Sequence, residues 1–249
     1  MRIGISQRVD TVPHYHEVRD GLDHQWIPFL EQIGLQVVLI PNQLKDPAAY
    51  YRDLNIQGLV LSGGNDPAVL ENASNVSEAR DATESKLIEE ARNCGHPIIG
   101  VCRGMQYLCL TFGESLSRIE GHVAKRHSLI CSTNFNYPNG IKVNSYHNWA
   151  LKTLTDESPF ERLAFTADQS IEAVKHQSEP IYGIMWHPER EAQYSEYDLN
   201  FFKNIFTLLY IPVHNSIGLL CRSCTLFHPP NLFSLDIRRK GAGRKKTRP

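Results

Sequence analysis

The sequence predicts an α/β fold, a three-layer sandwich with a mostly parallel central sheet covered by helices on both faces. Three observations carry this. Short apolar runs alternate with helical stretches as far as Gly113. Those runs are nearly continuous in hydrophobicity, as strands buried on both faces are. Glycine or proline marks most of the junctions between them.

Taken in order, "RIGISQR" (2–8) reads as the first strand. "EVRDGLDHQWIPFLEQIG" (17–34) reads as a helix, with Val18, Leu22, Trp26, Phe29, Leu30 and Ile33 near helical spacing and Gly34 as its stop. Pro28 inside that pattern predicts a kink or a split. "QVVLIP" (36–41) reads as a buried parallel strand, "DPAAYYRDLN" as a short helix and "GLVLSGG" (58–64) as a strand ending in a glycine turn. "SEARDATESKLIEEARNCG" (77–95) is a helix with Ala79, Leu87, Ile88 and Ala91 inward. "HPIIGV" (96–101) is a strand and "GMQYLCLTFG" (104–113) a helix. Beyond Gly113 the texture changes to short strand candidates, "SLSRI", "HSLICS", "IKVNSY", "LAFTADQSIEAVKH" and "IYGIMW", some of them antiparallel. "SEYDLNFFKNIFTLLY" (195–210) closes the domain as an amphipathic helix.

A chain of 249 residues with 41% hydrophobic and 21% charged residues is long enough for one large soluble domain. No apolar run is long enough to span a bilayer, and "MRIGISQR" lacks the features of a secretory leader. A cytoplasmic location without membrane partners is therefore expected. The six cysteines, Cys94, Cys102, Cys109, Cys131, Cys221 and Cys224, are scattered, which predicts thiols rather than disulfides. Residues 238–249 carry seven Lys and Arg and no acid, so a net charge of −1 overall leaves −8 on the rest. An acidic body does not suit a nucleic-acid partner.

"IIGVCRGMQYL" (98–108) sets Cys102 between Gly100 and Gly104, where a strand turns sharply into a helix. A nucleophile elbow has this layout, and a helix N-terminus favours the thiolate. The N–H of Arg103 points the same way and can receive an oxyanion. A buried cysteine on a convenient turn is the plainer alternative. Cys94 and Cys109 lack the glycine pair and are expected to serve packing. A thiol nucleophile needs a base and the base an orienter. "IYGIMWHPER" (181–190) ends an apolar strand at His187-Pro188-Glu189, and extended backbone would place Glu189 beside His187.

The motifs "GVCRGMQ", "LSGGND", "VNSYH" and "MWHPER" resemble class I glutamine amidotransferases, and more closely their γ-glutamyl hydrolase branch of the peptidase C26 type. The resemblance covers residues 1–211. It implies Cys102 as nucleophile, His187 as base and acid, and Glu189 as orienter. It implies Gly64 and Arg103 as oxyanion donors, with Gly63 in the same turn. Gln106 would grip the γ-glutamyl head group, Ser145 and Tyr146 would meet it through their backbone, and His147 would reach the leaving-group side or be purely structural. The implied reaction hydrolyses a γ-glutamyl amide through a thioester, with no metal or organic cofactor.

"CRG" is similar to free-standing γ-glutamyl hydrolases. "GISQRV", "HVAKRHSL", "VNSYHNW" and "IEAVKH" resemble hydrolases that release glutamate from γ-glutamyl-CDP-amidate to leave cytidine diphosphoramidate in capsule synthesis. The alternatives are a γ-glutamyl-GABA-type hydrolase and a glutaminase that supplies ammonia to a synthetase. The partner is then a small γ-glutamyl molecule with a nucleotide diphosphoramidate leaving group. Arg8, Arg19, Lys125, Arg126 and His127 either meet that diphosphate or are solvated surface. Arg80, Asp81 and Glu84 either rim the pocket or cap a helix. A monomer and a homodimer are both open. Residues 212–249, with Cys221, Cys224 and His228, fall outside the resemblance and are expected to be a dispensable, disordered tail.

Overall fold

A computed structural model describes residues 1–208. The expectations for residues 212–249 and for the CxxC pair lie outside the described residues. Five strands form the parallel part of the sheet: β1 (Arg2–Ser6), β4 (Gln36–Ile40), β5 (Leu59–Leu61), β6 (Ile98–Val101) and β14 (Ile181–Ile184). Three more, β9 (Ile130–Cys131), β12 (Phe160–Phe165) and β13 (Ile171–His176), continue it antiparallel. The order is β4-β1-β5-β6-β14-β13-β12-β9. The change of direction comes where the glycine-punctuated alternation of the sequence stops.

Alternate residues of each strand feed opposite cores, because successive side chains point to opposite faces. Ile99 and Val101 join one, with Trp26, Phe29 and Leu30 of α1 (Trp26–Gln32) and Phe202 of α5 (Glu196–Lys203). Ile98 joins the other, with Tyr51 of α2 (Pro47–Asp53), Leu87 and Ala91 of α3 (Glu78–Asn93), and Met105 and Cys109 of α4 (Arg103–Thr111). Helices on both sides of a sheet make the three layers.

Side chains start two of these helices. Asp46 accepts from the N–H of Ala49, and Ser77 from that of Arg80. Residues 17–34 depart from expectation. Glu17–Gly21 is a strand, β3, paired antiparallel with β2 (Arg8–Val12). Its Val18 is 63% exposed, so the apparent helical spacing there is coincidence. The helix begins only at Trp26, which puts Pro28 in its first turn. Proline costs the helix no hydrogen bond there, since an N–H in the first turn has no partner within the helix. The strand at 36–41 is an edge strand, with Leu39 exposed.

A ribbon of β8 (Val123–Ser128) and β10 (Lys142–Tyr146) stands off the main sheet, and β7 (Ser117–Arg118) pairs with β11 (Trp149–Ala150). No helix among the described residues is long and apolar enough to cross a membrane.

Candidate active site

The site forms where β5, β6 and β14 end. Cys102 follows β6 directly and has φ 53°, ψ −108°, a backbone conformation that costs an L-residue free energy. It persists because both flanks are fixed. Cys102 N–H donates to Ile184 O at 2.8 Å, and Gln106 N–H donates to Cys102 O at 3.1 Å. Gly104 makes the corner fit: a Cβ there would stand 2.0 Å from the backbone oxygen of Leu61. The thiol is thereby held at the N-terminus of α4, beside the Arg103 N–H, which the helix leaves without an internal acceptor.

His187 closes the site from β14. Its Nδ1 is 2.8 Å from Glu189 Oε1, and its ring is within hydrogen-bonding reach of the Cys102 thiol. All three residues are buried. The backbone between His187 and Glu189 is not extended as the sequence suggests. Pro188–Arg190 forms a 3₁₀ turn, closed by Arg190 N–H to His187 O at 3.2 Å. Proline fits the start of the turn and keeps His187 itself extended. The carboxylate therefore arrives by a turn rather than by strand alternation.

Cys102 and His187 each shift the other toward its charged form. Burial alone would raise the Cys102 thiol, but His187, then His147 and Arg190, outweigh it and lower the pKa. His187 is pushed up to about 9: burial opposes this, and Glu189 and Cys102 overcome it. Cys109 behaves oppositely, raised by burial in a core without such partners. It fits the expected packing role. Cys94 does not, since it is exposed at the end of α3.

Gly63 lies against the pair: a Cβ there would be 2.6 Å from His187 Cε1 and 3.6 Å from Cys102 Cβ. Gly64, at φ 86°, lies against Arg8. Gln106 is buried and donates through Nε2 to Trp149 O at 2.9 Å. The Ser145 hydroxyl turns away to His122 O at 2.6 Å, which leaves only its backbone for a ligand. Tyr146 stands 5.8 Å from the His187 ring, edge to face, with the Arg190 guanidinium over its own ring. His147 is buried, its Nδ1 3.0 Å from Trp149 O and its Nε2 3.5 Å from Glu172.

Several residues that hold this arrangement carry little or misleading signal in the sequence. Asn144, inside "VNSYH", bonds both the N–H and the C=O of His187. Arg80 neither rims the pocket nor faces solvent. It is fully buried and donates to Ser62 O at 2.6 Å, Gly63 O at 3.0 Å and Gly64 O at 2.8 Å. A trans peptide points its N–H opposite to its C=O. The N–H that shares a peptide with the Gly63 carbonyl is that of Gly64, so it faces away from Arg80. Glu84 joins Arg80 to Arg103, and Asp81 also pairs with Arg103. The residue after the cysteine thus serves through its side chain as a buried brace against α3.

A cavity of about 280 Å³ opens beside Gly63 and Glu189, with Arg8, Asp10, Asp23 and Arg190 in its wall. Of the cations considered for a diphosphate, Arg8 reaches this cavity, where it is paired with Asp10 at 2.8 Å. Arg19 pairs with Glu17, Arg126 with Glu191, Lys125 is exposed, and His127 faces Glu172.

Residues 3–189 match the family model of peptidase C26. The chain is 34% identical over 192 residues to γ-glutamyl-CDP-amidate hydrolase of Campylobacter jejuni, covering 77% of this chain and 91% of that protein. It is 29% identical over 185 residues to a glutamine-hydrolyzing GMP synthase subunit of Methanocaldococcus jannaschii, covering 70% and 85%. Among solved structures, a GMP synthase subunit of Thermoplasma acidophilum shares the fold at TM-score 0.62 with 21% identity, covering 82% of this chain and 92% of that one. A glutamine amidotransferase of Thermotoga maritima does so at TM-score 0.56 with 18% identity, covering 82% of each. An α/β sheet that ends in a cysteine elbow, matched by that model over most of its described length, places this chain in the peptidase C26 family.

Proposed function

We propose that the chain is a cysteine hydrolase of γ-glutamyl amides. The observation that carries this is Cys102, strained at the N-terminus of α4, with His187 beside it and Glu189 on the far nitrogen. The Cys102 thiolate attacks the γ-carbonyl carbon. The oxyanion is met by the N–H groups of Arg103 and Gly64, the second turned away from Arg80 as described. His187 gives its proton to the departing nitrogen as the C–N bond breaks. It then takes a proton from the water that splits the thioester, releasing glutamate and restoring the thiolate–imidazolium pair. Glu189 keeps the ring oriented throughout.

The leaving group we propose is cytidine diphosphoramidate. Two observations support it: the similarity to the Campylobacter jejuni hydrolase, and a cavity next to Gly63 that presents Arg8 and Arg190. Guanidinium groups suit a diphosphate. The similarity to GMP synthase subunits favours a second reading, a glutaminase that hands ammonia to a synthetase. Glutamate release should be followed from γ-glutamyl-CDP-amidate, γ-glutamyl-GABA and glutamine, with Cys102→Ala as control. Preferential turnover of the nucleotide by the isolated chain is expected. Turnover of glutamine alone, and only beside a synthetase, would favour the second reading. Release undiminished in Cys102→Ala would overturn the mechanism.

A further inference from the structure

Outside the proposed triad, a second cluster of buried polar side chains lacks hydrogen-bond partners. His122 is 6% exposed, His147 3% and Glu172 0%. His122 Nδ1, His147 Nε2 and both carboxylate oxygens of Glu172 are buried without a hydrogen bond, as is His127 Nε2. Groups like these ordinarily find a partner, and a missing one calls for an ion or water.

The distances indicate which. His122 Nδ1 lies 3.6 Å and His147 Nε2 3.5 Å from Glu172 Oε1, and one ligand atom from each residue lies within 4.8 Å of the others. These separations are long for hydrogen bonds. The two histidine–carboxylate distances are close to the roughly 3.3–3.4 Å between ligand atoms that sit about 2.0–2.1 Å from a tetrahedral ion.

The outer contacts point the same way. His122 Nε2 is 3.2 Å from Asp168 Oδ2, and His147 Nδ1 is 3.0 Å from Trp149 O. Each acceptor favours a proton on the outer nitrogen, which leaves the inner lone pair of a neutral ring facing the carboxylate. In that arrangement three electron-rich atoms converge in a buried space, and a cation between them would relieve their repulsion. Carboxylate and carbonyl partners on the far nitrogen are the usual support of metal-bound histidines.

We propose that His122, His147 and Glu172 bind a divalent transition-metal ion of the zinc class. His127, whose Nε2 is 3.4 Å from Glu172 Oε2, steadies the second carboxylate oxygen from outside. The ion joins the stand-off ribbon to the main sheet. His122 and His147 flank the ribbon strands β8 and β10, and Glu172 is on β13. It also fixes the Trp149 carbonyl shared by His147 and Gln106, one turn along α4 from Cys102. Spacing along the chain gives no metal motif, because the three ligands come from separate elements.

Metal content of the untagged full chain, produced with zinc and desalted, tests the proposal. About one ion per chain is expected, and Glu172→Gln or His147→Ala should lower retention tenfold or more. Cys102→Ser and the double variant Cys221→Ser/Cys224→Ser should retain it, which separates this site from the thiols. Cobalt added to the apoprotein should give a ligand-field spectrum of nitrogen and oxygen ligands without thiolate charge transfer. That spectrum needs no variant to fold. Substoichiometric zinc with no cobalt spectrum, or metal retained undiminished in a folded Glu172→Gln chain, would overturn the assignment.

Discussion

Asn144 grips the backbone of His187 from both sides: its Nδ2 donates to His187 O at 2.7 Å, and its Oδ1 accepts from His187 N at 2.8 Å. The same Nδ2 reaches Glu191 Oε1 at 2.8 Å. The grip is buried, so nothing replaces the carboxamide if it is removed. Asn144→Ala should cost about 2–3 kcal/mol of stability, because it strands a buried donor and a buried acceptor. It should also lower kcat more than it raises KM, since the imidazole loses its placement while the pocket wall stays. Urea denaturation and steady-state kinetics read the two effects. An Asn144→Ala chain with unchanged kcat would show that the grip does not position His187.

The paired titration of Cys102 and His187 sets a pH profile. The thiol is held below its ordinary value by His187, so activity should fall as acid protonates the thiolate. His187 is raised to about 9 and must carry its proton to the leaving nitrogen, so activity should fall again as pH rises through that value. Glu189→Gln removes the charge that holds the imidazolium. The alkaline limb should then move toward neutral pH, with kcat down roughly 100-fold or more. An alkaline limb left in place by Glu189→Gln would refute the assigned origin.

Gly104 tests the corner itself. Its Cβ would meet Leu61 O at 2.0 Å and Leu61 C at 2.7 Å, both backbone atoms of β5 that cannot rotate aside. Gly104→Ala should push α4 off the sheet, cost about 3 kcal/mol or more, and abolish turnover. Thermal unfolding checks the first part, and glutamate release the second. An alanine tolerated with full activity would mean that α4 can shift without disturbing Cys102.

Much of this is legible in the sequence, for a definable reason. Short apolar runs bounded by glycine or proline report strands, and β1, β4, β5, β6 and β14 appear within the predicted segments, although β4 lies at the sheet edge rather than buried on both faces. The thiol, the imidazole and the carboxylate are legible because each sits on a local motif at a strand end. Residues that act across the fold are not. Val18 and Leu22 mimic a helical stripe, yet residues 17–21 are a strand whose partner is 8–12. Arg80 and Glu84 look like an ordinary charged pair on a helix. Only tertiary contact reveals that they brace residues 62–64 and the side chain of Arg103. Asn144 has a signal, its place in "VNSYH", but one asparagine in a strand does not announce which backbone it will hold.

The Arg80 brace makes a sharp contrast possible. Lysine keeps the charge but has no planar fork, so it cannot serve the carbonyls of Ser62, Gly63 and Gly64 together. Arg80→Lys should keep most of the stability and lose kcat about tenfold or more, through a relaxed glycine turn. Arg80→Ala should instead destabilise by about 3–5 kcal/mol, because it leaves Glu84 buried with one of its two cations gone. Equal activity in the wild type and Arg80→Lys would show that this turn needs only a positive charge behind it.

Asp198 links stability to pH at a distance from the triad. It is 4% exposed and accepts from Tyr137 Oη at 2.7 Å and Trp186 Nε1 at 2.9 Å. Burial raises its pKa to about 6, and the two donors only partly offset this. A carboxyl in the unfolded chain titrates near 3.9. The folded state therefore holds the proton more tightly, so this contribution is complete below about pH 4 and is lost as pH rises through about 6. A difference of about two units corresponds to roughly 3 kcal/mol. Asp198→Asn keeps an oxygen for both donors and removes the titration. The variant should gain stability relative to the wild type between about pH 4 and pH 7, by up to that amount. Urea denaturation of both proteins across this range isolates the contribution of the one group, since all other titrations are common to the two chains. A constant difference would mean that Asp198 is already ionised at acid pH, with Tyr137 and Trp186 compensating its burial in full.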